Sequence, residues 1–205
     1  MGPLPRWDRF VSGAVSVRAS AGTALYREGE EHHYLHFLQS GLVKACLGEG
    51  SAERILGFTR SREMLGPIAM LARMMPAAPL VDRYYGNQRD SVAHVLRVGG
   101  ADHRAVALSE TYAVRIDLRL MMSYMNEHLE WARLGLILLS FHLASRNSRL
   151  SDLLMRTPRE RYEKMLEDEA DLTRVLSQRD LAHHLGITPE SLSRISVRIR
   201  DDVPP

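Results

Sequence analysis

Cysteine is all but missing from this 205-residue chain, with Cys46 the only one. No intramolecular disulfide can form, and one thiol is too few for a cysteine-built zinc site or an iron–sulfur cluster. Such usage suits a reducing cytoplasm. Long apolar runs are lacking too. No stretch approaches the roughly 18 uninterrupted apolar residues of a membrane span. The opening Met1-Gly2-Pro3-Leu4-Pro5-Arg6-Trp7 has no apolar signal core, so neither export nor a membrane partner is expected. Charge is nearly balanced, at +2, so contact with a polyanion must come from a local patch and not from a global field. The chain also lacks a Gly-rich phosphate loop, a Gly-x-Ser-x-Gly elbow and a His-Glu-x-x-His pair. An enzyme is therefore not expected, nor a bound cofactor.

What is present falls into three segments. The apolar share, 45%, is enough for a sizeable core without staples. Over 1–117 the chain is punctuated by glycine and changes period often. Residues 22–29 read as a short strand entering a tight turn, 34–45 as two strands broken at Ser40-Gly41, and 54–58 as another. Short strands with closely spaced glycine turns indicate an antiparallel barrel or sandwich. Over 118–147 a single long helix is expected. Met122, Met125, Leu129, Ala132, Leu136, Leu139 and Leu143 alternate in steps of three and four, and Arg146, Leu150 and Leu153 continue the register. That spacing reads as a dimer seam through 122–143, with one helix lying on its own core as the alternative. The methionines here read as core filler.

The third segment, 148–205, is a run of short helices with marked starts. Thr157-Pro158-Arg159-Glu160 is a capping box with proline at the first helical position. Ser177-Gln178-Arg179-Asp180 and Thr188-Pro189-Glu190 mark two further N-termini. The last two helices satisfy the demands of a DNA-reading helix-turn-helix. Ala182 is the small residue at the crossing, and Gly186 tolerates positive φ in the turn. Leu181, Leu185, Ile187, Leu192 and Ile195 supply the apolar underside. The second helix presents Pro189, Glu190, Ser191, Ser193 and Arg194 outward. Arginine can donate twice to guanine and glutamate can accept from cytosine. Arg198 and Arg200, and the groups around Ser177, Gln178, Arg179 and Thr188, suit phosphates, with a solvated charged face as the equal alternative for Arg198 and Arg200. His32, His33 and His36 are read as surface residues rather than a metal set, and His183 and His184 as facing solvent or phosphate.

These residues resemble the Crp–Fnr superfamily of bacterial transcription regulators over nearly the whole chain. Residues 22–44, with Glu-Gly…Gly-Leu-Val-Lys, resemble the opening of a cyclic-nucleotide-binding-like β-roll. Residues 149–154, 160–162 and 176–195 resemble the passage into a DNA-binding domain and its helix-turn-helix. The resemblance implies an α+β chain: an N-terminal antiparallel β-roll, a long dimerisation helix and a C-terminal helical domain. It also implies a homodimer binding double-stranded DNA at an inverted-repeat operator, in contact with RNA polymerase if it activates. Glu190 and Arg194 fall at the base-reading positions. The alternative function is a dimeric ligand-sensing or scaffold protein that does not bind DNA. Two departures stand out. The Gly-Glu-x-Ala cassette of cyclic-nucleotide sensors is replaced by Gly66-Pro67-Ile68-Ala69, and 73–103 abandons the family pattern. Few residues follow the second motif helix, closing at 201–205, so a β-hairpin wing is expected to be absent or truncated.

Overall fold

The computed structural model describes residues 4–67 and 101–202. Sequence features falling within 68–100, among them Ile68, Ala69 and most of the irregular stretch 73–103, lie outside the described residues. The chain divides into two compact units, Met1–Ala45 with Phe58–Ser140, and Cys46–Gly57 with Phe141–Pro205. The fold is α+β: antiparallel sheets first, helices after.

A short helix α1 (Trp7–Ser12) precedes strands β1 (Val15–Ala19), β2 (Ala24–Tyr26), β3 (Tyr34–Ser40), β4 (Leu42–Leu47), β5 (Arg54–Arg60), β6 (Met64–Leu65), β7 (Arg104–Ala107) and β8 (Thr111–Asp117). They form two four-stranded sheets, ordered β1-β8-β3-β6 and β2-β7-β4-β5. Strands β2 to β5 stand where the glycine punctuation put them, whereas β1, β6, β7 and β8 were not marked by it. At Gly41, φ is 103° and a Cβ would come within 2.7 Å of the Thr111 backbone, so only glycine lets β3 turn into β4 there.

Alternation along β3 feeds two cores. Leu35 points into a helical cluster with Phe10, Leu118, Met121, Met122, Tyr124 and Trp131, whereas Leu38 joins Tyr26, Val43, Leu65, Ala105 and Ala113 inside the roll. His36 shares the face of Leu38. It is 2% exposed and His32 is 6%, so both are buried and not on the surface as the sequence suggested. Aromatic stacking accounts for this: the His32 ring lies 4.6 Å from Tyr26 and 5.2 Å from His36. The roll closes over faces that are apolar even though their edges are not. His33, adjacent in sequence, does stay partly solvated, 2.9 Å from Glu31.

Where one helix was expected over 118–147 there are two, α2 (Leu118–Glu127) and α3 (Leu129–Met155), separated by an extended His128. Met125 packs directly on Gly135, where a Cβ would collide with its side chain. In a straight helix ten residues span about 15 Å, so this contact requires the break. Trp131, fully buried against Phe10 at 4.5 Å and donating to the Pro5 carbonyl at 2.8 Å, fixes the new direction. Met122 and Met125 thus belong to the chain's own core, which corrects their place in the expected seam. Farther along α3, Leu129, Leu136, Leu143 and Leu150 repeat every seven residues and remain 54–63% exposed.

Candidate nucleic-acid interface

Four helices follow α3 in place of the three expected: α4 (Pro158–Asp168), α5 (Ala170–Val175), α6 (Gln178–Leu185) and α7 (Pro189–Asp202). The added break is at Glu169, which leaves helical backbone geometry at ψ 40°. Each start uses the residue chemistry of a helix terminus. At α4, the Glu160 N–H donates to Thr157 Oγ1 at 3.3 Å while the Thr157 N–H donates to Glu160 at 2.7 Å, closing the capping box. At α6, the Asp180 N–H donates to Ser177 Oγ at 3.0 Å, and at α7 the Ser191 N–H donates to Thr188 Oγ1 at 3.2 Å.

Between α6 and α7 the chain reverses through Gly186 at φ 71°, and the Ile187 N–H donates back to the Ala182 carbonyl at 3.0 Å. This is a Schellman-type ending that a side chain at Gly186 would strain. Ala182, Leu181, Leu185 and Leu192 are buried to 1% exposure or less, and Ile187 and Ile195 are half-buried. The underside named from sequence is therefore the underside observed.

Two arginines that sequence reading did not single out for this role hold the end of α6. Arg149 donates to the His184 carbonyl, and Arg161 donates through Nε and Nη2 to the Leu185 carbonyl at 3.1 and 2.9 Å. Cations at a helix C-terminus satisfy its last carbonyls and oppose its dipole. Burial, with Arg161 beside it, lowers the pKa of Arg149. Asp152 accepts from Lys164 at 2.8 Å and from Arg156 at 2.9 Å, and the Lys164 bond first among these holds its carboxyl below the usual range. The signal for this framework was only the spacing of charged residues in 149–164, which is common on helix surfaces.

The outward face of α7 carries Glu190, Ser193, Arg194, Val197 and Arg198, all exposed and spaced by three and four. Pro189 and Ser191 are half-buried at its first turn. The Arg194 guanidinium reaches Ser191 Oγ at 3.4 Å and is otherwise turned outward. The Glu190 carboxyl is held below its usual range by its own backbone N–H and by the Thr188 hydroxyl, so it is an anionic acceptor at neutral pH. Val197, 43% exposed, sits within this face. Its position seven residues after Glu190 was the available signal. A methyl-bearing side chain there suits a thymine methyl.

Ser177, Gln178 and Arg179 are exposed at the start of α6. The two histidines expected to face solvent or phosphate do not. His183 is 5% exposed, with Nδ1 3.3 Å from the buried Glu53 carboxylate. His184 is partly buried and bonded to the Ile55 backbone, and desolvation lowers its pKa to about 3. Neighbours more than a hundred residues away in sequence gave no local sign of this. Among the described residues no cluster of three or more His, Cys, Asp or Glu could hold a metal ion, and no helix is long and apolar enough to cross a membrane.

Residues 16–79 match the family described as the cyclic nucleotide-binding domain. No curated protein matches the sequence. Among solved structures, FixK2 from Bradyrhizobium japonicum is similar at 16% identity with a TM-score of 0.67, over 92% of this chain and 85% of that one. The c-di-GMP-responsive global regulator CLP from Xanthomonas campestris is similar at 18% identity and a TM-score of 0.66, over 95% and 90%. A transcriptional regulator assigned to the Crp/Fnr family from Eubacterium rectale is similar at 13% identity and a TM-score of 0.70, over 97% and 87%.

Proposed function

From a chain that carries a cyclic nucleotide-binding domain and has the fold of the Crp–Fnr superfamily, we propose a sequence-specific DNA-binding transcription regulator acting as a homodimer. The observation that carries this reading is the outward face of α7. Glu190, Ser193, Arg194 and Arg198 lie along one exposed side of a helix that follows α6 through the Gly186 turn, and the end of α6 is clamped by Arg149 and Arg161. Arg194 is in its second turn, where a guanidinium reaches a guanine edge, and Arg198 lies one turn farther on, where a phosphate is the nearer partner.

The second copy binds along α3. Leu129, Leu136, Leu143 and Leu150 form a heptad stripe with Ile137 and Phe141 beside it, at 52% and 72% exposure. A stripe of this length and period is covered by a like helix. A two-fold dimer places its α7 helices about 34 Å apart, which calls for an inverted repeat with half-sites one helical turn apart. Glutamate at both Leu136 and Leu143 sets like charges against their symmetry mates and leaves monomers in sedimentation. Pro67, buried at the entrance to the cassette, offers no acceptor for a ribose hydroxyl, so calorimetry with cyclic AMP is expected to show no micromolar binding.

Binding-site selection tests the whole reading. Arg194→Ala costs about 1–3 kcal/mol per half-site and relaxes one base pair of the selected motif. Arg198→Ala weakens all sequences alike and lowers the salt dependence. A wild-type dimer that selects no sequence and shows no salt-dependent binding to random DNA is instead a ligand-sensing or scaffold protein.

A further inference from the structure

The compact unit that contains the helix-turn-helix also contains the end of β4, the turn after it and the start of β5, residues 46–57. Its tip is a tight turn with Gly48 and Gly50 at positive φ around a single 3-10 turn, Gly50–Ala52. A Cβ at Gly48 would come within 2.9 Å of the Ala52 carbonyl, so the tip is built to fold back on itself. Three α6 side chains meet this segment. Arg179 Nη2 donates to the Gly50 carbonyl at 2.8 Å, His183 Nδ1 lies 3.3 Å from Glu53 Oε1, and His184 is bonded to the Ile55 backbone. Positions 179, 183 and 184 form one face of the helix. Glu53 is 5% exposed, and a buried carboxylate is costly unless a partner is held against it.

The chemistry of the contact mirrors that of a DNA backbone. The tip offers Arg179 an oxygen acceptor, with the Glu49 and Glu53 carboxylates on either side of it in sequence. A phosphate approaching the start of α6 needs that same guanidinium and meets negative charge where the tip lies. The geometry points to an autoinhibitory latch: the β4–β5 tip occupies the phosphate-facing side of α6 and must leave before this helix docks on DNA. The latch rests on the DNA-binding reading above and adds to it a regulated step, since whatever displaces the tip frees Arg179.

The test uses the full chain, a fluorescein-labelled mixed-sequence duplex and anisotropy across a salt series. Residues 48–53 are replaced by Asn-Gly, a two-residue turn that still joins β4 to β5, and Glu53→Gln is made separately. With the tip gone, binding at low salt tightens roughly tenfold per subunit, as expected for one freed charge-assisted contact. The slope of log K against log salt steepens by about 0.9 per subunit. Glu53→Gln moves both quantities the same way by less. A tip that merely braces the fold would instead weaken binding and leave the slope unchanged; that result, or unchanged affinity in both variants, overturns the latch and spares the DNA reading. Failure of all three proteins to bind any duplex overturns the DNA reading, and the inhibitory role with it. Amide exchange across 178–185 then still reports whether the tip pins α6, since its removal must speed exchange there.

Discussion

The roll and the C-terminal helical unit treat most of their polar groups differently. In the helical unit most helix ends have a partner close at hand: Thr157, Ser177 and Thr188 cap N-termini, and Arg149 and Arg161 cap the C-terminus of α6. Inside the roll, His32 Nε2 and His36 Nδ1 are buried without a hydrogen-bond partner among the described residues. Their rings stack on each other and on Tyr26, whose hydroxyl lies 2.6 Å from His103 Nε2. The helical unit is held by directional bonds that are mostly local in sequence. The roll tolerates imidazoles because their faces pack like aromatics, provided that they stay neutral.

Acid should expose that proviso most. Desolvation, then His32 and Arg115, lowers the pKa of His36 from 6.5 to about 3, and desolvation also lowers that of His32. The unfolded chain takes up the proton as pH falls through 6.5, whereas folded His36 resists until about 3. For His36, stability is therefore full above 6.5 and declines between 6.5 and 3, by about 1.4 kcal/mol per pH unit. Urea unfolding at pH 7 and pH 5 measures this, and His36→Leu should reduce the difference by about 2 kcal/mol. An equal pH dependence in wild type and variant would mean that the roll does not keep this ring neutral. His184, also lowered to about 3, carries the same liability into the helical unit, so His36→Leu reduces the acid loss without abolishing it.

The contrast in capping sharpens next. Arg161→Met leaves the Leu185 and Arg156 carbonyls without their guanidinium donor and should destabilise by about 1.5–3 kcal/mol. The comparable change in the roll, Arg18→Met, removes only exposed contacts, with Glu110 and with the Tyr112 ring, and should leave the melting midpoint where it was. Equal losses in thermal melts would erase the distinction between the two regions. Thr157→Ala has the smallest effect, about 1 kcal/mol from loss of the capping box. Circular dichroism should show a corresponding drop in midpoint with little change in starting helicity.

Legibility followed the range of the responsible interaction. The Thr157 capping box, the Gly186 turn and the buried positions of α6 and α7 could be read directly, because each is decided within a few residues. The outward face of α7 followed from helical periodicity, whereas Val197 carries no sign of exposure in its residue type, because an apolar residue on an amphipathic helix is normally buried. The uninterrupted helix over 118–147 was misjudged because its heptad spacing continues through His128. What breaks it is Met125 meeting Gly135 and Trp131 finding Phe10 and Pro5, contacts that a periodicity cannot register.

By itself, then, the sequence determined the strands between residues 22 and 58, the turn chemistry and the buried underside of α6 and α7, since steric and capping preferences act over one or two turns of chain. Tertiary structure alone decided which histidines are buried, where the long helix breaks and what covers α6. His183 meets Glu53 across 130 positions and Arg179 meets Gly50 across 129. Such pairings arise only when segments distant in the chain meet within one compact unit, and side chains of the same type are solvated or buried according to which element arrives opposite them.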